Sequence, residues 1–262
     1  MSRICPLFSS SSGNSTYIGT KNGGILVDAG ASFKGICEAI DSAGGSIDEI
    51  TAVFITHEHD DHIKGLKTLL NKTNATLFAS AKTLEALAEL DKIPAKTSVV
   101  ALEDNFTEIG GIITRRFATS HDCEGSSGYS FVLPDNKKVA VCTDSGIMTD
   151  EMRLALSGND LVLLESNHDI QMLKQGPYPP YLKVRILSDL GHLSNNACAG
   201  ELGGLLSSGT TRFILGHLSQ HNNTPMIAKA TAESALIKNG AQNGKDYILT
   251  VARPKCNGVT VI

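Results

Sequence analysis

Short apolar segments alternate with amphipathic ones along the whole chain. Segments rich in β-branched or aromatic residues, and bounded by Gly, Asn, Asp or Pro, predict strands at 16–18, 24–28, 52–56, 75–79, 99–101, 112–117, 129–133, 139–143, 161–165, 213–215, 247–249 and 259–262. Helical periodicity predicts helices over 33–43, 82–90, 194–206 and 225–239, and Thr224 is a suitable N-cap for the last. Because strands and helices interleave, we predict an α/β or layered α+β fold.

One segment, residues 171–185, follows neither period. It contains three prolines, two tyrosines and three basic residues, and we predict an irregular structure for it.

The two halves of the chain show a weak similarity. In each half one predicted strand ends in Asp-small-Gly, at residues 28–30 and 144–146, and a later strand runs into a segment of histidine and acidic residues. Chance agreement among common strand-end residues explains this pattern equally well.

Composition narrows the classes of protein. The 262 residues suffice for one large domain or two small ones. No apolar run approaches the ~20 residues of a membrane span, and the first residues do not resemble a secretory signal. The 23 basic and 27 acidic residues exclude a globally basic nucleic-acid binder but allow a local basic groove. Six scattered cysteines without a Cys-x-x-Cys pair indicate free thiols and a cytoplasmic location.

The strongest chemical signal is the segment 57–62, His-Glu-His-Asp-Asp-His, directly after the apolar strand 52–56. Burying so many polar groups without partners would cost several kcal/mol each, so the alternatives are a charged surface loop and a metal site. The preceding strand favours a metal site, because loops at strand ends of α/β folds face a shared crevice. Imidazole and carboxylate together suit Zn, Fe or Mn. His57 and His59 can point to one side, while Asp61 and His62 enter the next turn, which suggests two ions.

This spacing resembles the His-x-His-x-Asp-His signature of the metallo-β-lactamase-fold hydrolases. The resemblance implies one domain over residues 1–262, folded as a four-layer αββα sandwich with two similar β-sheets inside and helices outside. It implies that one divalent ion is held by His57, His59, His121 and Asp144, and a second by Asp61, His62, Asp144 and His217. Asp28 would support the site without binding an ion. Taken singly, Asp28 and Asp144 could be ordinary turn formers, and His168 and His221 compete with His217.

Several longer segments narrow the resemblance to the YycJ, WalJ and VicX group of bacterial proteins. These segments are SSSSGNSTYI, ITHEHDDHIKGL, LLESNHDIQMLKQGPYPPYLKVRILSDLGHLSN and GHLSQHNN. The group implies a cytoplasmic, metal-dependent phosphodiester hydrolase, namely a DNA exonuclease or phosphodiesterase that uses a hydroxide activated by two metals and oriented by Asp61. The pair Glu165 and His192 is similar to the acid and histidine of ribonuclease Z, in which the histidine protonates the leaving oxygen.

Other residues are candidates for substrate contact. Ser12 and Asn14 could meet a phosphate, Lys174 and Tyr178 could meet a nucleic-acid strand, and His168 could touch the phosphate or support the site. Packing within a proline-rich loop explains the tyrosine equally well. Cys123 and Cys142, each two residues from a proposed ligand, are expected to be buried or supporting thiols rather than ligands.

Two other functions stay open. One is hydrolysis of a small ester, thioester or cyclic phosphodiester on the same fold, since the site and not the fold decides function. The other is a non-catalytic, metal-stabilised partner in cell-wall signalling. The expected cofactors are two divalent ions, Zn or Mn before Fe or Ni; the expected partner is DNA or another phosphodiester, and the sequence does not fix the oligomeric state.

Overall fold

The computed structural model describes residues 1–255 and 257–262. Within this part, strands form two sheets of seven. The first sheet contains β1 (Arg3–Ser10), β2 (Gly13–Thr20), β3 (Gly23–Val27), β4 (Ile50–Phe54), β5 (Thr76–Ala79), β6 (Val99–Ala101) and β14 (Thr260–Val261). The second contains β7 (Phe106–Ile109), β8 (Ile112–Ala118), β9 (Ser127–Val132), β10 (Lys138–Cys142), β11 (Leu161–Glu165), β12 (Arg212–Gly216) and β13 (Ile248–Val251).

Helices connect and cover these strands. They are α1 (Phe33–Ser42), α2 (Asp60–Ile63), α3 (Leu66–Lys72), α4 (Ala81–Glu89), α5 (Asp150–Leu156), α6 (Ile170–Gln175), α7 (Pro180–Leu187), α8 (Asn195–Ser207) and α9 (Pro225–Lys238), with a 3-10 turn at Ile47–Glu49. In the described part of the chain, no helix has the length and apolar character to cross a bilayer.

The two sheets match in strand direction and in strand order, except that the edge strand β14 of the first sheet comes from the end of the chain. The first runs β14-β1-β2-β3-β4-β5-β6 and the second β7-β8-β9-β10-β11-β12-β13. In each, an antiparallel part leads into four parallel strands, β3 to β6 in one and β10 to β13 in the other. The weak sequence similarity between the halves therefore coincides with equivalent positions, because the two Asp-small-Gly segments follow β3 and β10.

The core lies in three apolar layers. Between the sheets, Phe54 stacks on Phe78 and meets Phe131 edge-on, each with ring centroids 5.0 Å apart. Helices α1, α3 and α4 cover the outer face of the first sheet, and α5, α8 and α9 cover that of the second. The predicted αββα sandwich is confirmed.

Some element predictions were wrong. All four predicted helices form within about two residues of the expected ends, but strands β1 and β7 and helices α2, α3 and α5 were not predicted. Strand β1 is buried on both faces and carries Pro6, and β7 is short and largely exposed, so neither shows clear alternation.

The prediction of an irregular structure for residues 171–185 was wrong, because these residues lie mostly in α6 and α7. Asp169 caps α6, because its side chain accepts hydrogen bonds from the backbone N–H groups of Gln171 and Met172. The prolines lie between the two helices or at the start of α7, where proline does not interrupt a helix.

Gly30 allows a close approach of three backbone segments. A Cβ atom built there would overlap the carbonyl of Asp61 and lie 2.6 Å from the amide nitrogen of Asn14. We expect Gly30→Ala to lower the free energy of unfolding by about 1–3 kcal/mol, as overpacking does. Urea denaturation measures this, with Gly204→Ala as the matched control. Gly204 lies in α8 with open space around it, so alanine there should stabilise by about 0.4–1 kcal/mol. Equal effects of the two changes would contradict the prediction.

Candidate active site

The predicted site residues converge where strands of both sheets end. Asp28 follows β3 and the segment 57–62 follows β4, while Asp144 and His217 come after β10 and β12 and Glu165 ends β11. In parallel α/β sheets, the loops at the carboxyl ends of strands share one crevice. Residues that are far apart in sequence therefore meet there.

Left-handed turns direct three of these side chains. Asp28, Asp144 and His217 have φ of 64°, 56° and 53°, values that non-glycine residues rarely adopt. Each of these residues follows its strand directly or after one further residue. The left-handed turn therefore changes the direction of the chain at the end of the strand, beside the site. Backbone strain of this kind costs about 1–3 kcal/mol and persists only where surrounding contacts fix it.

Three imidazoles form a first cluster. Nε2 of His57 is 3.0 Å from Nδ1 of His59, which lies 3.3 Å from Nε2 of His121. One nitrogen from each ring lies within 4.8 Å of the others. Burial, with a further effect from neighbouring imidazoles, lowers the pKa of His57 and of His121. Neutral imidazole is the form that binds a metal ion.

A second cluster combines Asp61, His62 and His217. Oδ2 of Asp61 lies 3.6 Å from Nε2 of His62 and 3.7 Å from Nε2 of His217. Both imidazoles are almost fully buried. Burial acts to lower the pKa of His217, but the neighbouring carboxylates of Asp144, Asp61 and Glu165 raise it to about 10.

Asp144 lies between the two clusters. Its carboxylate is 2% exposed, with Oδ2 3.2 Å from Nε2 of His62 and Oδ1 3.2 Å from Nδ1 of His217 and 3.9 Å from Nε2 of His121. Burial would raise its pKa, yet the imidazoles of His217 and His62 hold it well below the usual range. One carboxylate therefore faces both groups of imidazoles.

Asp28 supports the site from behind. Its Oδ2 lies 2.8 Å from Nδ1 of His62, and its Oδ1 accepts from the backbone N–H of Thr56 at 2.8 Å. The Thr56 hydroxyl contacts Asp28 and lies 3.0 Å from Nδ1 of His57. Fixing the second nitrogen of an imidazole orients the first, which is a common feature of metal sites.

Glu165 joins His192 to His217. Its Oε1 lies 2.9 Å from Nδ1 of His192 and 2.8 Å from Nδ1 of His217, and its Oε2 accepts from the backbone N–H groups of Ser145 and Leu193. The carboxylate is fully buried. Burial acts to raise its pKa, but these histidines lower it to about 2. Glu165 is therefore ionised and can accept a hydrogen bond from Nδ1–H of His192.

The donor set suits divalent cations. Imidazole nitrogens and carboxylate oxygens are clustered in several overlapping triads, each within 4.8 Å. Two buried atoms among them, Oδ2 of Asp144 and Nε2 of His217, face His62 and Asp61 respectively but make no well-aligned hydrogen bond within the described residues. A buried polar atom without a partner is costly, and coordination to a cation would remove that cost.

The predicted substrate-contact residues lie in different surroundings. Asn14 is buried, and its Nδ2 donates to Oδ2 of Asp61 at 3.2 Å. Ser12 is exposed at the rim, where its hydroxyl accepts from Gln220. Lys174 is exposed on α6, whereas Tyr178 packs against His221 with ring centroids 5.7 Å apart.

His168 is a buried histidine beside this site. It is 1% exposed, and neither ring nitrogen has a hydrogen-bond partner among the residues that the structure describes. Burial lowers its pKa to about 4. Of the three histidines that competed in the sequence, only His217 lies beside Asp61 and Asp144.

Sequence reasoning missed Asp122 beside His59 and His121, whereas Cys123 was expected to be a supporting thiol. Oδ1 of Asp122 lies 3.3 Å from Nε2 of His121 and 3.7 Å from Nε2 of His59, and Sγ of Cys123 lies 3.3 Å from the latter atom. Burial raises the pKa of the Cys123 thiol, so the protonated sulfur is a neighbour of His59. Cys142 lies in the core of the second sheet. The position of Asp122 directly after His121 was the available signal.

Fold and site together define the class of protein. The model of the metallo-beta-lactamase superfamily matches residues 10–217, and the chain belongs to that family of metallo-hydrolases. It is 34% identical to "Exodeoxyribonuclease YycJ" of Bacillus anthracis, over 95% of this chain and 94% of that protein. It is 36% identical to "Exodeoxyribonuclease WalJ" of Streptococcus pneumoniae, over 92% and 90%. The solved structure of the metallo-beta-lactamase fold protein YhfI from Bacillus subtilis superposes with a TM-score of 0.73 at 14% identity, covering 100% of both chains.

Proposed function

We propose that this protein is a DNA exonuclease that hydrolyses phosphodiester bonds with two divalent cations, zinc or manganese. The observation that carries the proposal is the buried carboxylate of Asp144 between two groups of imidazoles, next to the Glu165–His192 pair. The names of the two relatives, similar over nearly their whole length, support DNA as the substrate.

In this proposal His57, His59, His121 and Asp144 would hold one cation, and Asp61, His62, Asp144 and His217 would hold the other. When bound, such cations neutralise phosphate charge and lower the pKa of water. Asn14 holds Asp61 in place through its amide N–H. Asp28 and Thr56 hold the imidazoles of His57 and His62 from behind.

The protein's own acid is His192. A phosphodiester has a poor leaving group, because the departing alkoxide is a strong base, and a proton delivered to that oxygen lowers the barrier. His192 is partly exposed, with 13% of its side chain accessible, so its ring can meet a substrate. Glu165 fixes the ring by accepting from Nδ1 and stabilises the charged imidazole.

A cytoplasmic location belongs to the same proposal. The described cysteines, at positions 5, 37, 123, 142 and 198, are free thiols. Proteins of reducing compartments carry free thiols.

The test is degradation of end-labelled single- and double-stranded DNA beside two small substrates, bis-p-nitrophenyl phosphate and a thioester. With Mn²⁺ or Zn²⁺ we expect DNA shortening that EDTA abolishes.

The bound cation should also stabilise the folded protein, by about 2.7 kcal/mol when its concentration is 100 times its Kd. Denaturation with and without EDTA measures this difference. Thioester turnover without DNA degradation would replace this function by small-molecule hydrolysis. Stabilisation without any turnover would indicate a non-catalytic role.

A further inference from the structure

Helix α7 presents an apolar stripe to the surface. Tyr181, Val184 and Leu187 are 76%, 69% and 44% exposed and recur every three residues, so they share one side of the helix. Leu190, just beyond the helix, is 52% exposed. Single exposed apolar residues are ordinary, whereas a contiguous row of them marks a binding surface.

The same helix is attached to the active site. Nε of Arg185 donates to Oδ2 of Asp122 at 2.6 Å, and Oδ1 of Asp122 faces His59 and His121. Behind the helix, the N–H of His192 donates to the carbonyl of Ile186 at 3.1 Å. Helix α7 therefore forms the rim beside the proposed proton donor.

Positive charge accompanies this stripe. Arg185 uses only Nε for Asp122, and 43% of its side chain is exposed. Its two terminal nitrogens have no partner within the described residues. Lys174 and Lys183 lie on the adjoining helical segments, the ammonium of Lys183 donating to the carbonyl of Lys174. Tyr181 precedes Arg185 by four residues, so a ring and a guanidinium lie on neighbouring positions of the helix surface.

We propose that α7 is the surface that binds the unpaired nucleotides of a DNA strand next to the bond that is cut. A base stacks on Tyr181, and a neighbouring phosphate meets the free nitrogens of Arg185. Aromatic rings accept any base because every base has a π-face, and basic side chains follow the backbone. Unpaired nucleotides of this kind are present in a single strand and at an opened duplex end. The inference rests on the proposed function and names the surface that contacts its substrate.

Tyr181→Ala tests the stacking contact, with Tyr181→Phe retaining the ring and Ile237→Ala as the control. Ile237 is an exposed apolar residue (64%) near the end of α9. We expect Tyr181→Ala to lower the ratio of kcat/KM on a single-stranded oligonucleotide to kcat/KM on bis-p-nitrophenyl phosphate by at least about fivefold. Its Kd for the oligonucleotide in EDTA, from fluorescence anisotropy, should weaken by a similar factor. Tyr181→Phe and Ile237→Ala should stay within about twofold of wild type on both measurements.

Arg185→Gln tests the phosphate contact. Glutamine keeps an N–H donor for Asp122 but removes the charge. The slope of log Kd against log salt should fall by about 0.7 for a single strand.

Two results would overturn the proposal. One is oligonucleotide binding and relative turnover by Tyr181→Ala within twofold of wild type. The other is self-association of the wild-type protein in sedimentation that Tyr181→Ala abolishes while DNA binding persists, which would make α7 a protein interface. Failure of the wild-type protein to hydrolyse either diester would instead reject the proposed function, so the two failures are distinguishable.

Discussion

Asp144→Asn is expected to lower kcat/KM on DNA by at least about 10³-fold and to reduce the bound divalent metal per chain. The amide keeps the shape of the side chain but removes the charge that faces His62, His121 and His217. A 10³-fold decrease corresponds to a loss of several kcal/mol of the transition-state charge stabilisation that bound cations would supply. Metal analysis of the purified variant, beside nuclease kinetics, measures both effects.

Asp150→Asn is the matched control for this change. Asp150 lies at the start of α5 with a fully exposed side chain that pairs with Arg153, so its loss should leave metal content and turnover within about twofold. An Asp144→Asn protein with the wild-type metal content and activity within tenfold would refute the role given to this carboxylate.

His192→Gln is expected to act selectively on substrates with poor leaving groups. Loss of a positioned acid costs about 10²–10⁴-fold, and we expect a decrease of that size on DNA, whose departing alkoxide needs a proton. On bis-p-nitrophenyl phosphate the effect should be below about tenfold, because p-nitrophenolate leaves without protonation. Steady-state kinetics on the two substrates give the comparison.

The control for this prediction is His221→Gln, since His221 packs on Tyr178 outside the Glu165 pair. Equal losses on both substrates by His192→Gln would show that this histidine maintains the site and does not donate the proton.

Local sequence was sufficient for much of the architecture. Strand segments with β-branched residues and helices with clear periodicity and caps, such as α9 after Thr224, predicted most elements because their pattern is short-range. Strand β1 was missed because Pro6 interrupts its apolar residues and two serines end it, a composition more typical of a loop. The segment 171–185 was misjudged because proline content was given more weight than position, and Pro180 at the start of α7 is compatible with a helix.

The site was partly predictable for a similar reason. The segment 57–62 is a dense local signal, and resemblance supplied its distant partners. Residue types alone could not choose His217 over His168 or His221; the choice follows from the left-handed turn after β12, which brings His217 beside Asp144. Asp122 escaped notice because its contact with His59 spans more than 60 positions of the chain.

The equivalence of the two sheets has a consequence for how the cation-binding groups are assembled. Asp28 and the segment 57–62 follow strands of the first sheet, in one half of the sandwich, whereas His121, Asp144 and His217 follow strands of the second sheet, in the other half. Neither half alone carries a complete set, so cation capture requires the two sheets to be closed against each other. Opening of the sandwich is therefore one route by which bound cations can be released to a strong chelator. Variants that loosen the aromatic layer around Phe54 should open more often and lose their cations sooner.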